Sequence, residues 1–414
     1  MNIAHEADDP LFDPDVVQEP HGYYRELRYH DPVHEVVPGT FLVTTMELVT
    51  EAVNRTEDFS SGSDEFLHKG DWKVAGLRKA TSVDTDELSY VLVAADGEDH
   101  QRHRRVVSKH LSTAKMQAME PEFRALVAQA LGDVQLGHFD WMSTVAEPLP
   151  MVMVARILGL PDAWAPELKK AGYAQVERLS GFVPEDRIQP LEDDGVNGLG
   201  SVIEAYGQAR QGSTDYDNGL IGVVAHAVAE GELNDIEAMS IISLLISAGG
   251  ESTTSLTGTA VRILAERPDL QAELRAQPSL VARFVEEALR WDPPFRGMYR
   301  AVTRDTELGG KSLAGGSHLV LMWPAANRDE AVYEQADEVR LDRPNPRHHV
   351  AFGWGVHLCV GAPLARVEAK SAIETLLDMS HSFQIDEQQL PLRYHQSLMV
   401  RRLVALPLAV DWNT

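Results

Sequence analysis

The sequence predicts a mainly α-helical chain with small β-sheets, an α+β arrangement in a single domain over residues 1–414, with 1–20 as a flexible lead-in. Three observations carry this expectation. Long stretches repeat apolar residues at helical spacing, whereas β-like alternation is confined to short runs around Gly and Pro turns. One helix, opening at Asn234 and closed by Pro268, is on the order of twice the usual 11–12 residues, so it has to cross the core. Near the C-terminus a glycine-rich stretch, Phe352-Gly353-Trp354-Gly355-Val356-His357-Leu358-Cys359-Val360-Gly361, bends around the only cysteine and runs into another helix.

Composition narrows the function classes. Of 414 residues, 44% are hydrophobic and 24% charged, which supplies a large core. The balance of 37 Lys+Arg against 63 Asp+Glu gives a net charge of −26. Phosphate backbones and anionic membrane surfaces both demand a basic face, so neither nucleic acid nor membrane is expected as a partner. A single cysteine excludes an internal disulfide and suits a reducing compartment. Residues 1–15 are acidic without an apolar core, and no apolar run reaches the ~18 residues that span a bilayer. A cytoplasmic monomer is the expectation.

Taken in order, a short helix starts at His21. The runs 33–37 and 41–44 around Pro38-Gly39 read as a hairpin, and 46–54 returns to helical spacing. Residues 60–97 form a long irregular stretch, of a kind that is usually functional or mobile. The helix from Glu98 carries His100-Gln101-Arg102-His103-Arg104-Arg105, with His100 and Arg104 four apart on one face. A solvated basic face is the bland account; a donor pair for an anion is the functional one. Helical patterns follow at 116–131 and 141–158. The acidic segment 181–200, between helices at 163–179 and 199–210, looks like an irregular lid.

The long helix has an unusual middle, Ala248-Gly249-Gly250-Glu251-Ser252-Thr253-Thr254. Two interior glycines cost roughly 1 kcal/mol each against Ala, and Glu251 is an acid in an apolar stretch. A kink with Ser or Thr bonding back to its own helix would explain either half. Both together point to a binding site. Further on, Glu287 and Arg290 are i,i+3 neighbours on a helix near Val285. Arg343 precedes Pro344-Asn345-Pro346, and short strands are expected at 298–302, 311–313, 318–323 and within 384–410.

Cys359 lies beside a helix start in which Pro363 is tolerated in the first turn. A helix N-terminus and free N–H groups favour a thiolate, either as nucleophile or as metal ligand. The bland alternative is a small buried hydrophobe, but glycines are a poor way to pack one.

The pattern F-G-x-G-x-H-x-C-x-G followed by a helix resembles the haem-binding loop of the cytochrome P450 family. The resemblance extends in order over nearly the whole chain: His100-x-x-x-Arg104, the notch from Ala248 to Ser252, Glu287-x-x-Arg290, Arg343 before P-N-P, and the cysteine loop. It implies haem b (iron protoporphyrin IX) between the long distal helix and the cysteine helix, with Cys359 as the axial ligand to iron. His100, Arg104, Arg300 and His357 would hold the propionates. Phe352, Gly353 and Gly361 of the loop, with Ala248 and Gly249 of the notch, would contact the cofactor. The Gly249-Gly250 pair would make room for O2, and Glu251 with Ser252 would relay protons. Glu287, Arg290 and Arg343 would brace the segment that carries the loop.

The implied function is a monooxygenase inserting one oxygen atom of O2 into a hydrophobic small molecule, by C–H hydroxylation or epoxidation. Electrons would come from NAD(P)H through a ferredoxin reductase and a ferredoxin, which would dock on a basic patch around Arg104, Arg105 and Arg366. Most family members have Thr where Ser252 stands; Ser loses the methyl that restricts χ1, so looser coupling is expected, with Thr253 as a substitute hydroxyl. The pocket is expected from the stretch before Glu98, the lid at 181–200, residues 241–248, 295–299 and 397–399. Arg296 is a candidate either for a substrate carboxylate or for a structural role. The alternatives are a peroxide-driven peroxygenase, a non-catalytic haem sensor or carrier, and a helical scaffold with an inert cysteine.

Overall fold

The computed structural model describes residues 9–62, 90–134 and 137–413. The long helix is its axis. Asn234 and Glu237 close a capping box at its start, and it runs unbroken from Asp235 to Glu266, 32 residues, longer than the sequence suggested. Its first half packs Ala238, Ile241, Ile242 and Ile246 into one core cluster. Its second half packs Leu256, Ala260, Val261 and Leu264 into another, together with Ala369, Ala372, Ile373 and Leu376 of the helix Ala362–Met379 that follows Cys359.

A five-stranded sheet flanks these helices in the order Val33–Val37, Thr40–Val43, His318–Leu321, Met298–Val302, Phe59–Ser60. The hairpin turn is made by Gly39 at φ 78°, a conformation open to glycine at little cost. His318–Leu321 runs parallel to Thr40–Val43 and antiparallel to Met298–Val302, which sets Arg300 on a central strand. A second sheet puts Pro407–Trp412 between His138–Asp140 and Ser380–Ile385. Of the expected strands within 384–410 only its ends pair regularly; in between lie the isolated bridges Phe295↔Val400 and Tyr394↔Leu403.

Two expectations need correction. Residues 9–20 of the supposed flexible lead-in are ordered: Asp13 caps the helix Pro14–Gln18. Leu11 and Phe12 pack with Tyr24, Leu27, Leu42 and Met322. Acidic composition hid those few apolar anchors. The segment 181–200 is not irregular either, because Glu185–Asn197 forms a helix despite the internal Pro190. Ile188 and Leu191 are buried, and at Gly198 a Cβ would come within 2.5 Å of the Ala171 Cβ. Packing against the helix Ala165–Arg178 outweighs local propensity. Of the irregular stretch 60–97, residues 63–89 lie outside the described residues. Among the described residues no helix is long and apolar enough to cross a membrane.

The segment leading to Cys359 is held by charge. Glu287 accepts two hydrogen bonds from Arg290, at 2.9 and 2.8 Å, one from Arg343 Nε at 2.8 Å and one from the Arg340 N–H at 2.9 Å. The arginines in turn donate to the carbonyls of Asn327, Glu334, Gln335, Ala336 and Glu338, so one buried carboxylate organises that whole irregular stretch. The adjacent Glu286 accepts from Arg366 at 2.6 and 3.0 Å and stands 3.1 Å from His349 Nε2. Burial would raise its carboxyl, but His349 and Arg366 hold it at about 2.

Glu287→Ala strands two buried guanidinium groups and is expected to cost about 3–5 kcal/mol in urea unfolding. Arg340→Ala, which keeps the backbone N–H that Glu287 uses, is expected to leave the same unfolding curve unchanged.

Candidate active site

The cysteine loop takes its shape from two glycines that require the left-handed region, Gly353 at φ 71° and Gly355 at φ 64°. Cys359 N donates to Phe352 O at 2.8 Å and closes the loop on itself. Phe352 packs under the Arg366 guanidinium, 4.5 Å from the ring centroid. Gly361 caps the following helix, and a Cβ there would stand 3.8 Å from Cys359 Sγ. Cys359 is solvent-accessible, yet protein surrounds it densely enough that burial pushes its thiol up, against the N–H groups of Gly361 and Ala362. The helix start, which the sequence suggested would favour a thiolate, is thus outweighed by burial.

His100, Arg104, Arg300 and His357 come together although they span three separate segments, the helix Gly97–Ser108, the strand Met298–Val302 and the cysteine loop. The rings of His100 and His357 lie 4.1 Å apart. Burial, with the charges of His357 and Arg104, pushes His100 down to about 4. His357 Nε2 stands 3.0 Å from Ser61 Oγ and 3.4 Å from Asp96 Oδ1. Burial works to raise Asp96, but hydrogen bonds from His357, Ser60 and the Gly62 N–H hold it well below the usual carboxylate range. Arg300 is buried, donates to Tyr299 O at 2.7 Å, and is pushed down by burial to about 10 despite the charge of Asp96. Asp96 and Ser61 were not singled out from the sequence; Asp96 was visible only as the residue ahead of the helix that bears His100.

On the long helix, Glu251 is buried and accepts from Arg402 Nε at 3.0 Å. Burial raises its carboxyl, opposed by Arg402. Ser252 Oγ donates to Ala248 O at 2.7 Å, so no hydrogen bond links the acid to the alcohol. Thr253 is buried toward Glu368 of the cysteine helix. Glu368 is fully buried, and burial pushes its carboxyl well up, opposed by the Thr253 hydroxyl. Arg402 lies outside every motif and carried no signal in the sequence.

The paired glycines of the long helix are tightly packed. A Cβ on Gly249 would come 2.7 Å from Val154 Cγ2, and one on Gly250 would come 2.4 Å from Met151 Cε. The space their missing side chains leave is filled by the neighbouring helix Leu149–Leu158, so close helix packing by itself accounts for both glycines. Arg296 is buried and donates to Val17 O at 2.7 Å and Tyr24 Oη at 3.3 Å, which gives it a structural role. Of the expected basic patch, Arg105 is exposed and Arg104 half-buried, but Arg366 is neutralised by Glu286. Val356 and Leu358 are exposed on the same loop. The anticipated pocket segments converge in part: Val176, Met399 and Val400 form a cluster with Leu179, Phe295 and Tyr299 packed against it.

With this geometry in hand, the chain was compared with known proteins. A sequence model of the cytochrome P450 family matches residues 202–407. "Cytochrome P450 144" of Mycobacterium tuberculosis is 38% identical over 415 residues, covering 99% of this chain and 93% of that protein. "Cyclomarin C epoxidase CymV" of Salinispora arenicola is 28% identical, covering 89% and 91%. The solved structure of cytochrome P450 CREJ in complex with (4-ethylphenyl) dihydrogen phosphate superposes with a TM-score of 0.86 at 26% identity, covering 95% of this chain and 97% of that one. The chain belongs to the cytochrome P450 family, whose members are haem-iron monooxygenases that use O2 and redox partners.

Proposed function

We propose that Cys359 would ligate the iron of a haem b whose propionates would be held by His100, Arg104, Arg300 and His357. The observation that carries this reading is the convergence of those four donors, among described residues with Asp96 as their acidic neighbour, beside a glycine-bent cysteine. A buried Arg300 that, among the described residues, has only a neighbouring carbonyl to donate to suits an anionic group with two carboxylates. His100, kept neutral by burial, can still donate one N–H. When bound, the haem would supply the activation of dioxygen and the insertion of one oxygen atom into the substrate.

The chain's own groups would do the rest. Cys359 would hold the iron as a thiolate, because a metal cation would reverse the effect of burial on the thiol. The Gly361 and Ala362 N–H groups then moderate the charge on sulfur. The buried Glu251 carboxyl and the half-buried Ser252 hydroxyl of the long helix would carry protons inward; to do so the Ser252 hydroxyl has to swing away from Ala248 O. Their presence supports use of O2 over hydrogen peroxide. The apolar cluster around Val176, Phe295, Tyr299 and Met399 suits a hydrophobic small molecule, hydroxylated or epoxidised. Electrons would arrive from NAD(P)H through a ferredoxin and its reductase, since neither a dinucleotide fingerprint nor spare cysteines for an iron–sulfur cluster occur in the sequence. A lone cysteine and strong acidity are compatible with a cytoplasmic monomer.

Reduction of the purified protein under carbon monoxide is expected to give the red-shifted Soret band of thiolate-ligated haem, lost in Cys359→Ser; a histidine-type band in the parent protein would overturn the ligand assignment. Arg300→Ala removes a buried charged donor worth about 1.5–3 kcal/mol. Transfer of haem to apomyoglobin should then be about tenfold faster or more. Ser252→Ala is expected to divert reducing equivalents from product to hydrogen peroxide; a variant that keeps full coupling removes Ser252 from the relay.

A further inference from the structure

Glu251 is the inner end of a row of charges that reaches solvent. Its Oε1 accepts from Arg402 Nε, while Oε2 is buried with no hydrogen-bond partner among the described residues. Arg402 Nη1 donates to Glu147 Oε1 at 3.0 Å, and Glu147 Oε2 accepts from Lys169 Nζ at 2.6 Å. Tyr173 sits between the two cations, with Arg402 4.9 Å and Lys169 5.4 Å from its ring centroid, and its hydroxyl lies 2.7 Å from Thr254 Oγ1. Side-chain exposure rises outward from 9% at Glu251 through 11% at Arg402 and 20% at Glu147 to 31% at Lys169. Isolated surface ion pairs have no reason to be ordered in this way or to end on a half-satisfied carboxylate in the core.

We propose that Arg402 is a positioning residue for proton supply: it holds the Glu251 carboxyl and ties it to the Glu147–Lys169 pair, so that Glu251 reloads from that side and delivers toward Ser252. This rests on the reading of Glu251 and Ser252 as a relay. The groups facing Glu251 act in opposite directions. Burial and the charges of Glu147, which follows the π-helical turn Met142–Ala146, and Glu177, on the helix Ala165–Arg178, favour the neutral acid; Arg402 favours the carboxylate. Tyr173 and Lys169 lie on the same helix as Glu177, and His395, pushed down to about 4 by burial and by Arg402, stays neutral at the back of the cluster. Without Arg402, burial, Glu147 and Glu177 would act on Glu251 unopposed by a cation and hold it further toward the neutral acid. In each cycle its carboxylate takes one proton from the solvent side and returns to the carboxylate on giving it up, while the guanidinium stays protonated throughout.

The test is an infrared pH titration of the protonated carboxyl band in the ferric holoprotein, with the band assigned by its loss in Glu251→Gln. Arg402→Gln should move the midpoint upward by about 1–3 pH units, Arg402→Lys should restore most of that, and Glu147→Gln should move it downward. Opposite signs at residues 402 and 147 distinguish charge from loosened packing, and they keep the idea falsifiable if one variant folds poorly. A second measurement follows substrate-free oxidation of NADPH through a plant-type ferredoxin and its reductase. Hydrogen peroxide consumes two protons and two electrons per O2, and water consumes four of each; the peroxide share should rise in both Arg402→Gln and Glu251→Gln. An unmoved midpoint in Arg402→Gln overturns the positioning role. A moved midpoint with the parent peroxide share in both variants leaves the ion pair in place but overturns the relay on which the proposal stands.

Discussion

Two consecutive carboxylates, Glu286 and Glu287, determine where Cys359 stands. Glu287 faces Arg290 and Arg343 and, through them, five backbone carbonyls between residues 327 and 338. Glu286 faces His349 and Arg366, which flank the loop on both sides. The segment between them has little regular structure to stabilise it, so its conformation depends on buried ionic hydrogen bonds. Such pairs cost desolvation and add little net stability, but breaking one is expensive. They restrict the chain to one path, which a ligand-bearing loop needs more than it needs stability.

The same opposition between burial and charge recurs around the site. Burial pushes the Cys359 thiol and the Glu251 carboxyl up and the His100 and Arg300 cations down. Each group is thereby biased toward its neutral form, and each has a charge nearby, or a charged ligand it suits, that counters the bias. A site built this way responds strongly to what enters it, because low surrounding polarity leaves local charges weakly screened. Arg402 belongs to this pattern: it brings a cation from the C-terminal segment to the middle of the long helix, where it opposes the effect of burial on Glu251.

The sequence's failures follow a consistent line. Pro190 and the acidic run around it suggested a loop, yet two buried apolar side chains and a close approach at Gly198 hold a helix there. The paired glycines at 249 and 250 were legible as special, but their partner is the methionine and valine of a helix a hundred residues earlier. Arg296 was ambiguous until its acceptors, Val17 O and Tyr24 Oη, were known. In each case the deciding contact is long-range, and local pattern has no access to it.

What the sequence determined by itself was chemistry set by covalent neighbours: a glycine-bent loop around one cysteine, a helix long enough to cross the core, an i,i+4 His–Arg pair and an i,i+3 Glu–Arg pair. Those spacings translate directly into shared faces and permitted backbone angles, so the fold class and the family were readable. The tertiary structure decided the ionic partners. Asp96 meets His357, Glu286 meets Arg366, and Arg402 meets Glu251 across separations of 261, 80 and 151 residues. Electrostatic interaction depends on distance in space and on local burial, and only the packed chain sets those.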